Sequence, residues 1–302
     1  MKEDSLFPKV PDHHKPNKPL IPNGLGVIYV LVGVVYLFLM YSFDVAKVAN
    51  NVSKPLTLAA CILFGGFLGL LDDWVDLKWR YKAFLPLIAA IPLIALAHTL
   101  VPQLRTSIAI PFLGTIPFGD SYYFIIVPLL VTIITNTVNQ LGGLNGLETV
   151  CPAIIMIGLV FFSGPDAALL YVPLIMWLLL AFFNFRGKIF VGNTGSFAVG
   201  TTLVAFAIIS DLKLYLVISI LPYIFNSALI LLTFFFFRTK ANVSFDGKRL
   251  VSDHKKSLIT LITYHRPLTE RQVVLIISLL VAISTSVALL IQWLSLSLPA
   301  GT

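Results

Sequence analysis

In "GLLDDWVDLKWRYK" (69–82) three carboxylates, Asp72, Asp73 and Asp76, fall within about one helical turn. Hard oxygen donors of this kind attract Mg²⁺, or Mn²⁺, which works alongside substrate phosphates. The alternative is a solvated helix end, where acids oppose the helix dipole and cost stability unless a cation joins them. Asn136 and Asn139 lie three apart on one helix face and lead into "GGLNGL" (142–147), whose glycines let backbone approach a ligand. Two such amides serve equally well as glue between helices. "FVGNTGSF" (190–197) reads as a phosphate- or base-cradling turn that opens a helix, with Phe190 as a stacking face. The segment from Arg238 to Arg271 adds cations, which suit either a phosphate or anionic lipid headgroups. All four stretches fit phosphate chemistry at a membrane surface.

The elements that must position them are membrane helices. The chain has 302 residues, 58% hydrophobic and only 12% charged, with a net charge of +7. Its mean hydropathy of +0.92 is far above that of a soluble domain. Apolar stretches long enough for a bilayer recur nine times, near 24–43, 55–71, 82–101, 121–138, 150–164, 167–185, 196–211, 213–237 and 272–294. No period-2 alternation suggests a barrel, so an all-α polytopic bundle of about nine transmembrane helices is expected. With the N-terminus inside, 17 of the 21 Lys and Arg residues fall on the cytoplasmic side and 4 on the other. That orientation gathers the four polar stretches on the cytoplasmic face.

Residues 1–23 are polar and Pro-rich and read as a cytoplasmic arm. Residues 24–302 read as a single transmembrane domain with a cytoplasmic loop at 238–271. Cys61 and Cys151 lie in or beside apolar spans and read as small buried hydrophobes. No internal repeat is visible, which counts modestly against many transporter folds.

In order and placement, "GLLDDWVDLKWRYK", "TNTVNQLGGLNGLE" (135–148) and "KIFVGNTGSF" (188–197) closely resemble the polyprenyl-phosphate N-acetylhexosamine-1-phosphate transferases. Within that family the chain looks most like the dolichyl-phosphate GlcNAc-1-phosphate transferase branch of eukaryotes and archaea. The resemblance implies transfer of sugar-1-phosphate from a UDP-sugar, UDP-GlcNAc first among them, to a polyprenyl phosphate in the membrane. UMP is released, and this is the first step of lipid-linked glycan assembly. The implied partners are the UDP-sugar donor, the polyprenyl phosphate acceptor and membrane lipid. No nucleic acid is expected, and a homodimer stays open. An archaeal plasma membrane is favoured over the endoplasmic reticulum.

Carried over by position, the resemblance makes Asp72, Asp73 and Lys82 catalytic and gives Mg²⁺ the ligands Asp73, Asn139 and Asn193. Asn136 joins the substrate-binding set, Gly143 and Asn145 form the uracil-contacting turn, and Phe190 stacks on the ring. Arg238 and Lys240 fall where cations meet the diphosphate. One departure stands out. The family's third motif reads Gly-Asp, with that Asp on the metal, whereas this chain has Gly192-Asn193. An amide oxygen still coordinates Mg²⁺ but without its charge, so compensation through Asp76, a weakened enzyme and an inactive binding homologue all stay open. A transporter is disfavoured because the acids lie at one face rather than mid-membrane. His254 and His265 stand alone, which argues against the MurNAc-pentapeptide branch.

Overall fold

The computed structural model describes residues 6–43, 53–99, 106–110, 114–238 and 242–297. The arm forms an antiparallel hairpin of β1 (Lys9–Pro11) and β2 (Leu20–Pro22). After it come α1 (Gly26–Ser42), α2 (Lys54–Val75), α3 (Trp79–Phe84), α4 (Pro86–Ala89) and α5 (Ile91–Thr99). A second hairpin, β3 (Ser107–Ile110) with β4 (Gly114–Pro117), leads to a π-helical turn at Tyr122–Ile126 that runs into α6 (Val127–Gln140). Then follow α7 (Leu147–Phe162), a 3-10 turn at Gly164–Leu170 continued by α8 (Tyr171–Phe185), α9 (Gly192–Ile209), α10 (Lys213–Ser219) and α11 (Leu221–Phe237). A short hairpin of β5 (Ser244–Phe245) and β6 (Leu250–Val251) precedes α12 (Leu258–His265) and α13 (Glu270–Ser297).

The expected all-α membrane class stands, apart from these three small hairpins. The count of nine is not reproduced. Among the described residues five helical runs are long and apolar enough to cross a bilayer, and α10 with α11, bent by 56°, makes a sixth. The helices α1 and α7 are apolar but shorter. The expected span at 82–101 is broken into α3, α4 and α5. Pro86 and Pro92 explain the breaks, because each lacks an N–H donor and clashes with the carbonyl a turn earlier.

At the centre stands α9, buried at every position from Thr194 to Ile209, as a helix without a polar face should be. Bilayer lipid is as apolar as leucine, so hydrophobicity alone does not press helices together and close backbone packing has to. Glycines supply it. A Cβ on Gly69 of α2 would collide with the backbone of Asn193, and one on Gly26 of α1 with Gly195. The first approach lays the carboxylate end of α2 against the start of α9. Outward faces carry Leu31, Phe38, Phe67 and Leu279, each exposed as a lipid-facing side chain should be.

Candidate active site

The end of α2 delivers its paired acids to two different places. Asp73 reaches the first turn of α9, where its Oδ1 accepts the Asn193 N–H at 2.9 Å and its Oδ2 accepts the Thr194 N–H at 2.8 Å and the Thr194 hydroxyl at 2.7 Å. The helix has no cap from its own preceding residue, so Asp73 caps it across the fold, and a carboxylate suits the positive end of a helix dipole. Gly192, at φ +70°, makes room: a Cβ there would lie 2.8 Å from Asp73 Oδ2. Asn139, in the last turn of α6, accepts the Ser196 hydroxyl at 2.6 Å, and that hydroxyl also lies 3.3 Å from the Asn193 carbonyl. Of the three residues expected on the metal, Asp73 and Asn139 therefore reach the helical turn that carries Asn193, which engages Asp73 and Ser196 through its backbone.

Asp72 turns the other way. Its side chain is fully buried, with Oδ1 accepting Lys82 Nζ at 2.8 Å and the Leu77 N–H at 3.0 Å, while Oδ2 has no hydrogen-bond partner among the described residues. Lys82, in the last turn of α3, also lies 3.5 Å from Asp76. Asp76 ends α2 in a left-handed conformation at φ +48°, with its carboxyl side chain 98% exposed. It faces solvent and Lys82 rather than the start of α9, which gives no support to its replacing the charge absent at Asn193.

The glycine turn between α6 and α7 carries the second half of the site. Gly143 is exposed at φ +89°, a conformation that strains other residues, and the His14 ring of the arm meets its backbone. Burial holds His14 below the usual 6.5, against the opposing pull of Glu270 and Asp12. Asn145 is 3% exposed; its Nδ2 donates to Asp12 at 2.7 Å and to Glu270 at 2.9 Å, and its N–H to Glu270 at 2.7 Å. Lys15 closes this clasp, 3.4 Å from Asp12 and 3.3 Å from Glu270. Asp12, His14 and Glu270 are the one trio of potential metal-ligating side chains brought within 4.8 Å among the described residues. Lys15 and Asn145 already engage both carboxylates there, which makes it a clasp between arm and bundle.

Phe190 is half-buried and fixed through its backbone. Its N–H donates to Pro22 at 2.8 Å, and its carbonyl accepts from Leu25 at 3.2 Å, so arm and third motif run side by side. Asn136 lies one turn back from Asn139 with its Nδ2 returned to the Thr132 carbonyl of the same helix, at 2.9 Å. Arg238 ends α11, exposed, at φ +51°, and Lys240 lies outside the described residues.

The sequence reading missed four residues that hold this arrangement. Thr194 completes the Asp73 cap, and Asp12 and Glu270 hold Asn145. Asn184, fully buried, accepts from Gly146 N–H at 2.8 Å and from the Thr149 hydroxyl at 3.0 Å and donates to the Ile189 carbonyl at 2.9 Å, tying the glycine turn to the third motif. An amide inside the otherwise apolar run "LLLAFFNF" was the available signal for it.

Residues 55–211 match the model of glycosyl transferase family 4. A relative from Saccharolobus solfataricus, provisionally named a UDP-N-acetylglucosamine--dolichyl-phosphate N-acetylglucosaminephosphotransferase, is 32% identical over 93% of this chain and 87% of its own length. The Saccharomyces cerevisiae protein of the same name is 27% identical over 73% of this chain and 59% of its own length. A phospho-N-acetylmuramoyl-pentapeptide-transferase from Clostridium perfringens is 27% identical over 76% of this chain and 72% of its own length. The chain belongs to glycosyl transferase family 4 and is a membrane protein.

Proposed function

We propose that this chain transfers N-acetylglucosamine-1-phosphate from UDP-N-acetylglucosamine to a dolichyl-type polyprenyl phosphate. One observation carries the reading: Asp73, Asn139 and Asn193 converge on the first turn of α9, beside the Asp72–Lys82 pair, in a chain of this family.

The donor set fits Mg²⁺. Carboxylate and amide oxygens are hard ligands, and both Asp73 oxygens and Asn139 Oδ1 stand at the one turn that carries Asn193. Asp73, Asn139 and Asn193 hold the ion in this reading. When bound, it neutralises charge on the donor diphosphate.

The chain's own residues account for the rest. A phosphate monoester has a second pKa near about 6, so the acceptor arrives at neutral pH largely as a dianion and needs positioning more than deprotonation. One of its oxygens attacks the β-phosphorus in line. The bond from that phosphorus to the oxygen bridging the two phosphates breaks, and UMP leaves with that oxygen. The buried Asp72 holds Lys82 in place, Lys82 offsets the charge of the acceptor phosphate, and Arg238 and Lys240 face the diphosphate. Gly143, Asn145 and Phe190 receive the uracil, and Asn136 backs the Asn139 face.

Nine crossings with the N-terminus in the cytoplasm put this site on the cytoplasmic face. The split of basic residues supports that orientation, and the bent α10–α11 pair, the shorter α1 and α7 and the broken 79–99 stretch supply the crossings beyond five. The arm and the bundle then work as one unit. The test incubates purified protein with UDP-N-acetylglucosamine, a polyprenyl phosphate and Mg²⁺. Release of UMP that requires the lipid is the expected result; nucleotide binding without release would overturn the transferase reading.

A further inference from the structure

Resting on the UDP-sugar reading above, we propose that Asp12 and Glu270 are positioning residues that decide which nucleobase edge the chain accepts. They consume both amide protons of Asn145 and leave only its carbonyl for the base.

An asparagine side chain offers two N–H donors and one carbonyl acceptor, and a half-turn about its last torsion exchanges them. Here the choice is made by the neighbours. Nδ2 lies 2.7 Å from Asp12 Oδ2 and 2.9 Å from Glu270 Oε1, and ionised carboxylates only accept. The flipped amide would set its carbonyl oxygen against both of them. Further bonds pin the two acids: Glu270 Oε1 also takes the Asn145 N–H at 2.7 Å, and Asp12 Oδ1 takes the His14 N–H at 3.1 Å. The remaining oxygen, Asn145 Oδ1, is buried and has no hydrogen-bond partner among the described residues. A buried acceptor in that condition is costly until a donor reaches it.

The way in is beside Gly187. A Cβ there would lie 2.5 Å from Lys15 Nζ and 3.4 Å from Asn145 Oδ1, so the ammonium and the orphan share one side of that glycine. The Lys15 side chain is 31% exposed, and swinging it outward uncovers the oxygen without moving backbone. A lone acceptor selects a base with an N–H at the matching position. Uracil presents N3–H; cytosine presents a bare N3 lone pair, which would meet the Asn145 oxygen acceptor to acceptor. A clasp that only tied the arm to the bundle would weaken both nucleotides alike.

The experiment measures UDP and CDP binding to the detergent-purified full chain by calorimetry, with Mg²⁺ present. The wild-type protein should prefer UDP by about 10-fold or more. In the Asp12→Ala/Glu270→Ala variant the amide is free to turn, and the UDP/CDP ratio should fall to within about 3-fold. Glu270→Gln alone keeps an oxygen on Nδ2, because the Asn145 N–H holds that same oxygen in place, and should preserve the ratio. Should the double alanine variant not fold, Asp12→Ala alone, with Glu270 still on the backbone N–H, should move the ratio in the same direction. A wild-type preference that survives the alanine changes, even with both affinities lowered, overturns the inference and leaves the UDP-sugar reading intact. Loss of the preference in Glu270→Gln overturns it as well, because charge rather than acceptor geometry would then be responsible. A wild-type protein that binds neither nucleotide, or both equally, defeats the UDP-sugar reading and this inference together.

Discussion

The turn that opens α9 and the clasp around Asn145 are both polar centres at the end of a helical bundle, but they are satisfied in opposite ways. At α9 the Asp73 carboxylate is met by the chain's own N–H groups and the Thr194 hydroxyl, and Asp72 has Lys82. The sequence had suggested that paired acids at a helix C-terminus call for an external cation. Part of that demand is met internally, by a lysine and by the positive end of another helix. In the clasp, carboxylates and ammonium satisfy each other and the asparagine amide, and an acceptor is what remains over. The first centre gathers carboxylate and amide oxygens at one helical turn, while the second leaves a single buried oxygen. In the proposed function charge recognition and base recognition are therefore separate, and different substitutions should disturb them.

The largest effect is expected at Asp73. Asp73→Ala removes the proposed metal ligand and the cap of α9 together, so UMP release should disappear and stability should fall by about 1–2 kcal/mol. Asp73→Asn keeps an oxygen for the cap. Its unfolding temperature should stay near wild type while turnover still drops by about 100-fold or more. Equal stability loss in both variants would reduce Asp73 to a cap.

Next comes Lys82→Met, which strands a buried carboxylate. Stability should fall by about 3 kcal/mol, and Asp72→Asn in the same chain should restore most of it without restoring turnover. Recovery of activity in the double variant would remove Asp72 and Lys82 from the chemistry.

A smaller effect, of opposite sign, is expected from Asn193→Asp. It adds a charged ligand for a hard cation, so the Mg²⁺ concentration for half-maximal rate should fall several-fold. No change in Mg²⁺ dependence would take position 193 off the metal.

The smallest effect concerns the arm. Burial lowers the His14 pKa below 6.5 in the folded protein, so the stability it contributes is fully present above that value and is lost as pH falls toward the folded pKa. Tryptic cleavage after Lys9, normalised at each pH to the rate on an unstructured peptide, should increase a few-fold between pH 7.5 and about 5.5, and His14→Gln should flatten the change. Asp12 and Glu270 oppose the shift, which keeps the effect small.

Much of the phosphate half was legible in advance because its residues lie in short local patterns. "LLDDWVD" ends one helix and "FVGNTGSF" opens another, as their patterns suggested, and Asp73 of the first run meets the start of the second. Span counting did less well. Hydropathy averages over a window and does not register what Pro86 and Pro92 do to hydrogen bonding, so one apolar run became three short helices.

By itself the sequence determined the solvent, the class and the family chemistry, because composition and short motifs are properties of neighbouring residues. Which acid points where was decided only in three dimensions. Asp72 and Asp73 are adjacent in the chain, yet one faces Lys82 and the other faces α9, since consecutive side chains on a helix diverge by about 100°. The clasp was wholly a tertiary matter. Asp12 and Asn145 stand 133 residues apart and Asn145 and Glu270 125, and neither acid carries a local pattern that announces its partner. Packing of the arm against the bundle brings them together, and hydrogen-bond satisfaction in a buried place then fixes the direction of one amide.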